Sequence, residues 1–281
     1  MRILILADIH GNWAALRSIR EPHDLCVCLG DIVDYGLNPS ACVDWVRQYC
    51  QLVVRGNHDH AAAQRVQTNG RNGLKYLSGE TRRITWEKLS REQLRFLGTL
   101  PTMHWATLDH RRFLLLHASP TDPLDEYLYA DAEAWSRRLE RVEADIICVG
   151  HTHVPFVLPV GNKLVINPGS VGQPRDGDPR LSYAVWQDGR VEIKRLEYPV
   201  DETIAEIETS NLPDSAKRLA VEVLRTGSVS SNGTDKTIVA PGARSDQDAL
   251  VSAIASANGP NAPHGRTASG IDRPTSAPRP S

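Results

Sequence analysis

The sequence contains no apolar run approaching the roughly 20 residues that cross a bilayer, so nothing in it reads as a membrane-spanning helix. The apolar start, Met1–Ala7, is short and runs into Asp8 and His10 without a small-residue cleavage site. It reads as a first core strand and not as a secretory signal. Cysteine is scarce and odd in number, with Cys26, Cys28, Cys42, Cys50 and Cys148 the only five. That count argues against a disulfide framework and for reduced thiols in a cytoplasmic protein. A dominant charge is missing too: 32 basic against 34 acidic residues leave a formal net charge of -2. No broad electrostatic surface for nucleic acid or anionic lipid follows from that balance. Aromatic residues are absent after Gly227, where Gly, Pro, Ser and Ala dominate. Such a stretch buries too little apolar surface to offset its ordering entropy. Residues 227–281 are therefore expected to be a disordered low-complexity tail on a domain of residues 1–226, with a marginal helix possible at Asp246–Ala257.

The domain itself is rich in short runs of Ile, Leu and Val: Ile3–Ala7, Leu25–Leu29, Leu52–Val54, Phe113–Leu116, Ile146–Val149 and Leu164–Ile166. Near-continuous apolarity over a few residues marks strands buried on both faces. Cys26 and Cys28 share one face of such a strand and read as small core residues. Helical signals lie between the runs. Asn38-Pro39 opens one helix as cap and first helical residue. Ser90 and Gln93 form a capping box for a second, ending before Pro101. Asp131–Val142 is a third. Alternating strands and helices predict an α/β core. Later, Ser182–Gln187 and Arg190–Leu196 flank Asp188-Gly189, a two-residue hairpin signal, and a helix from about Asp214 to Arg225 follows.

Five polar clusters stand directly after these strands: Asp8-Ile-His10-Gly11-Asn12, Gly30-Asp31-Ile-Val-Asp34, Gly56-Asn57-His58-Asp59, His117, and Gly150-His151-Thr-His153. Singly, each has a plainer reading. His117 alone is a core histidine, and Gly56–Asp59 alone is a turn. Together, in order and each at a strand end, they fall where open α/β sheets bind ligands. Carboxylates and imidazoles without thiolate suit Mn, Fe, Zn, Co or Ni. Alternation along a strand end lets Asp-x-His and His-x-His each point two side chains to one side.

The order Asp-x-His, Gly-Asp-x-x-Asp, Gly-Asn-His-Asp, His, Gly-His-x-His resembles the calcineurin-like metallophosphoesterase superfamily, from Met1 to about Arg225. Asn167-Pro-Gly-Ser-Val-Gly172 and Gln173-Pro-Arg-Asp-Gly-Asp178 resemble its small prokaryotic YfcE-like or diadenosine-tetraphosphatase-like branch. The resemblance implies a four-layer α/β/β/α sandwich of two mixed β-sheets. It implies two divalent ions, Mn favoured, with Mg added to the metals above. Asp8, His10 and His153 would hold one ion, Asn57, His117 and His151 the other, and Asp31 would bridge them. His58 would face the substrate phosphate and leaving group, with Asp59 orienting it as carboxylates do for catalytic imidazoles. The backbone at Gly169-Ser170 would line the site. The implied chemistry is in-line attack by a metal-bridging hydroxide on a phosphodiester or a nucleotide-type ester.

Two departures stand out. The Ser/Thr phosphatase branch carries a phosphate-contacting Arg where this chain has Tyr35, which weakens a protein-phosphatase reading. Ala118 replaces a Gly that many relatives have after the fourth-motif His. Arg175 is the chosen substrate contact, because it follows the Asn167–Gly172 loop; Arg55 and Arg180 are further candidates. Trp86 and Trp105 could stack on a base, although packing is the commoner use of Trp. A catalytically silent scaffold on this fold remains the rival reading, and it is disfavoured because all seven ligand positions and His58 are filled.

Overall fold

The computed structural model describes residues 1–228. The expected tail and the helix at Asp246–Ala257 lie outside the described residues. The elements run β1 (Arg2–Leu6), α1 (Trp13–Leu16), β2 (Leu25–Cys28), α2 (Pro39–Tyr49), β3 (Leu52–Val53), α3 (Asn57–Ala63), α4 (Gly73–Lys88), α5 (Arg91–Thr99), β4 (Met103–Leu108), β5 (Arg111–Leu116), α6 (Ala132–Leu139) and β6 (Ile146–Cys148). They continue with β7 (Phe156–Val160), β8 (Lys163–Asn167), β9 (Leu181–Gln187), β10 (Arg190–Leu196), α7 (Val200–Thr209) and α8 (Asp214–Thr226).

Two mixed sheets form, in the orders β10-β9-β1-β2-β3 and β4-β5-β6-β8-β7. β1, β2 and β3 are parallel, as are β5, β6 and β8. The period-two alternation of the strands explains the layering. Ile3, Ile5, Val27, Leu29, Phe113, Leu115, Ile146 and Cys148 meet between the sheets, where Trp186 packs edge-on to Phe113 at 5.4 Å. The alternate residues Leu4, Leu6, Cys26 and Cys28 face outward against Leu16, Val43, Val46, Ala62 and Leu97 of the helices. On the second sheet, Leu114, Leu116 and Ile147 are covered by Trp135 and Leu139 of α6. The expected four-layer sandwich is present. Leu77, Ile204, Ile207, Ala220 and Leu224 add a satellite core that joins α4, α7 and α8 over Tyr35 and Leu37.

Several local expectations sharpen. Ser90 and Gln93 make their reciprocal cap on α5, and Asp131 caps α6 through the N–H groups of Glu133 and Ala134. α6 stops at Leu139 because the chain turns there, with Val142 N–H donating back to the Leu139 carbonyl at 3.1 Å. Asn38 holds the cap position of α2 without capping it; its amide donates instead to Glu206 at 2.6 Å. Gly56–Asp59, read alone as a turn, opens helix α3. All five cysteines are free thiols, and among the described residues no helix is long and apolar enough to cross a membrane.

Candidate metal centre

Because β1, β2, β3, β5 and β6 end on the same side, the five clusters converge there. Close backbone approach makes this possible. A Cβ on Gly56 would fall 2.1 Å from Asp31 Oδ1, and one on Gly30 would fall 2.4 Å from the Gly56 nitrogen. Only glycine lets the ends of β2 and β3 touch in this way.

Two groups result: Asp8, His10 and His153, and Asp31, His117 and His151, with the donor atoms of each group within 4.8 Å of one another. All six are buried. Asp31 lies between them, with Oδ2 3.7 Å from His10 Nε2 and 3.2 Å from His117 Nε2. Asn57, at the start of α3, brings Oδ1 to 3.2 Å from His117 Nε2.

The histidines reveal what the centre is built to hold. Each uses its outer nitrogen on a backbone carbonyl: His10 Nδ1 on Val33 at 2.9 Å, His117 Nδ1 on Leu29 at 2.8 Å, His153 Nδ1 on Gln173 at 2.6 Å, and His151 Nε2 on Asp125 at 3.2 Å. A carbonyl only accepts, so that outer nitrogen carries the hydrogen and the inner one of a neutral ring presents a lone pair. The inner nitrogens then face each other, His10 Nε2 with His153 Nε2 at 3.1 Å and His117 Nε2 with His151 Nδ1 at 3.2 Å. Nitrogens facing at that distance call for a positive centre between them, a cation or, at His117, a proton that a cation would replace. The donor set therefore fits two divalent cations.

Electrostatics agree. Burial pushes Asp8 up to about 7 and lowers His10 to about 3. Burial and then the His117 charge lower His151 to about 3, while burial and then Arg175 hold His153 well below its usual value. For His117 burial opposes the charge, yet Asp31 beside it raises the imidazole to about 9. These are buried groups whose charge state waits on a partner.

His58 lies over this floor, its ring edge-on to His10 at 5.0 Å. The expectation that Asp59 orients it requires correction. Asp59 is the third residue of α3, and its carboxylate turns back to accept the N–H groups of Gly56, Asp31 and Ile32 at 3.1, 2.8 and 2.9 Å. The carboxylate on His58 is that of Asp34, which meets Nδ1 at 2.7 Å. Asp34 in turn takes Arg82 from α4, a residue that no local sequence signal singled out.

Arg175 is half-buried at the mouth. Its guanidinium carbon lies 5.6 Å from the Tyr35 ring centre, it donates to Gln173 Oε1 at 2.8 Å, and its Nε has no partner among the described residues. The exposed Tyr127 tilts over His151 at 4.0 Å and interacts with Arg175 through its hydroxyl. The other arginine candidates turn away: Arg55 donates to the Gly98 carbonyl, and Arg180 pairs with Asp178 on the surface. Ser170 pins loops together, donating to the Asp8 carbonyl at 2.7 Å. Trp86 donates to the Ala62 carbonyl, and Trp105 is exposed on β4.

Comparison with known proteins points the same way. The chain is 34% identical over 240 residues to the uncharacterized protein MJ0912 of Methanocaldococcus jannaschii, covering 75% of this chain and 94% of that one. A metallophosphoesterase from Sphaerobacter thermophilus superposes with a TM-score of 0.68 at 35% identity, over 81% of this chain and 99% of that one. Serine/threonine-protein phosphatase 1 of Salmonella typhimurium is similar at 24% identity over 188 residues, 60% of this chain and 87% of that one. Residues 1–188, which carry every candidate ligand, match the calcineurin-like phosphoesterase superfamily domain, and the chain belongs to that superfamily.

Proposed function

We propose that the protein is a dinuclear-metal phosphoesterase that hydrolyses phosphodiesters, including nucleotide-type esters. The observation that carries this reading is the two pairs of facing imidazole nitrogens, His10 with His153 and His117 with His151, in a ring closed by Asp8, Asp31 and Asn57. Asp8, His10 and His153 would hold one cation and Asn57, His117 and His151 the other, with Asp31 shared. Bound there, two cations supply a nucleophilic hydroxide near neutrality and charge to balance the transferring phosphoryl group. Manganese suits the mixed oxygen and imidazole set.

The remaining steps belong to the chain. His58 acts as an imidazolium: Asp34 holds the Nδ1 hydrogen, and the second proton passes from Nε2 to the leaving oxygen as the ester bond breaks, which leaves a neutral ring with its hydrogen on Nδ1. Arg175, at the mouth beside Tyr35, holds a non-bridging phosphate oxygen through its guanidinium. Charge supply favours a diester over a monoester. Among the arginines considered, only Arg175 is free to meet the phosphate, because Arg55 and Arg180 face elsewhere and Arg82 is consumed by Asp34. One guanidinium matches a monoanionic diester better than a dianionic monoester. The rings of Tyr35 and Tyr127 beside it offer apolar surface to the second ester substituent.

The test is turnover of a chromogenic phosphodiester, the matching monoester and a phosphopeptide by metal-stripped protein, before and after Mn²⁺, with His58→Ala alongside. Manganese-dependent cleavage, faster on the diester and lost in His58→Ala, is expected. Cleavage of the phosphopeptide alone would replace this reading with a protein phosphatase. Two bound ions without turnover of any ester would leave a metal-binding scaffold.

A further inference from the structure

The Asp34 carboxylate is fully buried and accepts four hydrogen bonds: from His58 Nδ1 at 2.7 Å, from Arg82 Nε at 2.9 Å and Nη2, and from Thr85 Oγ1 at 3.1 Å. Arg82 is itself only 3% exposed. Its remaining hydrogens go to the Val66 carbonyl at 3.2 Å, Thr68 Oγ1 at 3.3 Å and Ser78 Oγ at 3.5 Å. None is left for a substrate, so Arg82 can influence chemistry only from behind His58, through the Asp34 carboxylate that it shares with His58 Nδ1, its own Nη2 lying 3.3 Å from that nitrogen.

What it does there follows from donor counting. A carboxylate gripped by a guanidinium fork stays ionised, and an ionised carboxylate only accepts. His58 must then present a hydrogen at Nδ1. Burial works to raise Asp34, yet the His58 hydrogen bond and the charges of His58 and Arg82 leave it below its ordinary value. Without the fork, a buried carboxylate would retain only His58 and Thr85 and could rotate or take up a proton, and either change frees the His58 ring. We infer that Arg82 is a positioning residue for the reaction: acting through Asp34, it fixes the tautomer and facing of His58, so that Nε2 meets the leaving oxygen. This rests on the phosphodiesterase reading above.

A plainer role competes with it. Arg82 also ties α4 to residues 66–68, so its loss could simply loosen the fold. Two readouts separate the roles. The first is kcat and KM on diesters with a good leaving group, nitrophenolate, and a poor one, an unactivated alkoxide. Arg82→Met, Arg82→Lys, Asp34→Asn and the Arg82→Met/Asp34→Asn double variant are compared. A proton donor matters most for the poor leaving group. Arg82→Met should therefore lose about 10–100-fold in kcat there, a part of the roughly 10²–10⁴-fold that acid catalysis supplies, and much less on nitrophenolate. KM and bound metal should hold. The double variant should lose no more than Asp34→Asn alone, and Arg82→Lys should recover part of the loss. Equal losses on both leaving groups, additive losses in the double variant, or lost metal would overturn the inference.

The second readout needs no turnover. Ring ¹⁵N shifts of His58 in the metal-free protein, taken where the ring is neutral, should show one tautomer, hydrogen on Nδ1, in the wild type and a mixture in Arg82→Met. An unchanged tautomer would overturn the inference. If the wild type cleaves no ester, the phosphodiesterase reading fails by itself and this spectrum still decides the role of Arg82. If Arg82→Met does not fold, Arg82→Lys carries the same comparisons, because an ammonium cannot reproduce the two-point fork.

Discussion

At one end of the sheets, Asp109, His110, Asp188 and Gly189 take left-handed φ angles of 49°, 60°, 50° and 79°. At the other end, Asp8, His10, Asp31, Asp34, His151 and His153 take 54°, 49°, 55°, 67°, 66° and 59°. The conformation is the same and its justification differs. The first set forms the two-residue hairpin loops β4–β5 and β9–β10, where left-handed pairs match the twist of the strands. The amino group of Met1 lies 3.4 Å from Asp109 and 3.7 Å from Asp188 there. The second set is buried, and no hairpin requires it. A left-handed non-glycine residue costs roughly 1–2 kcal/mol, and the gathering of six at one centre is the pattern of strain kept for function. The comparison teaches that the centre is held by its surroundings, whereas the hairpins hold themselves.

The largest effect should come from Asp31→Asn. The amide keeps the shape and can still accept the His58 N–H, now 2.9 Å from Oδ1, but it removes the negative charge shared by both groups. Activity should fall at least ~100-fold, because even groups outside the ligand set commonly cost 10–100-fold when removed. Metal analysis should find fewer than two ions per chain. Two retained ions with full turnover would remove Asp31 from its shared position.

Next in size is Asp59→Ala. The change should cost at least ~3 kcal/mol, since three buried N–H groups lose their acceptor at roughly 1–3 kcal/mol each. The groups are those of Gly56, Asp31 and Ile32. Chemical denaturation would measure it. A stable variant with a specific defect in proton donation would restore Asp59 to the role first expected of it.

That expectation shows where the sequence stops being legible. The strands could be read because burial on both faces makes them apolar throughout, as in Ile3–Leu6 and Phe113–Leu116. The candidate ligand positions could be read as one cluster because each follows such a strand. Asp59 misled because it adjoins His58 in the chain, but helix geometry turns adjacent side chains apart. Helix α4 escaped for a related reason. Its buried face includes Ser78, Thr81, Arg82 and Thr85, spaced i, i+3, i+4, i+7 but polar, because it faces Asp34 and His58 in place of a core. An amphipathic search looks for the opposite stripe. β4 likewise alternates only between exposed and half-buried residues at the edge of its sheet.

The two ends should also respond oppositely to pH in metal-free protein. At the hairpin end, burial opposes ionisation of Asp109, but the Trp186 hydrogen bond and the amino terminus lower it overall. Its stabilisation is present above the unfolded value near 4 and is lost in acid. At the centre, His117 is raised to about 9. Its stabilisation is complete below the unfolded value of about 6.5 and disappears as pH rises to about 9. Asp8 and Asp59, both raised to about 7, also lower stability as pH rises from about 4 to 7. His10 and His151, both lowered to about 3, oppose them below about 6.5. The unopposed window is therefore pH 7 to 9, where thermal unfolding of metal-free protein should move to lower temperature. Saturating Mn²⁺ should flatten that slope, because ligation takes the place of the proton. An equal slope with and without metal would mean that the ions bind elsewhere.

The smallest effect belongs to Asp188→Gly. Glycine removes the steric cost at φ 50°, returns about 0.5–1 kcal/mol of it as backbone entropy in the unfolded chain, and gives up an exposed contact with Met1. These terms nearly cancel, so stability should shift by no more than ~0.5 kcal/mol, the usual range for surface changes. Turnover and metal content should stay at wild-type values. The same conformation at His153 predicts the reverse balance: His153→Asn, which tolerates a left-handed backbone but gives up the hydrogen bond to the Gln173 carbonyl, should cost metal-free protein about 1–3 kcal/mol yet abolish most of the stabilisation that added metal provides. If Asp188→Gly altered turnover, the hairpins would be coupled to the centre through β1 and β9, and the separation of the two ends would fail. If His153→Asn kept the full metal-induced shift, the left-handed turn at 153 would owe its strain to something other than an ion.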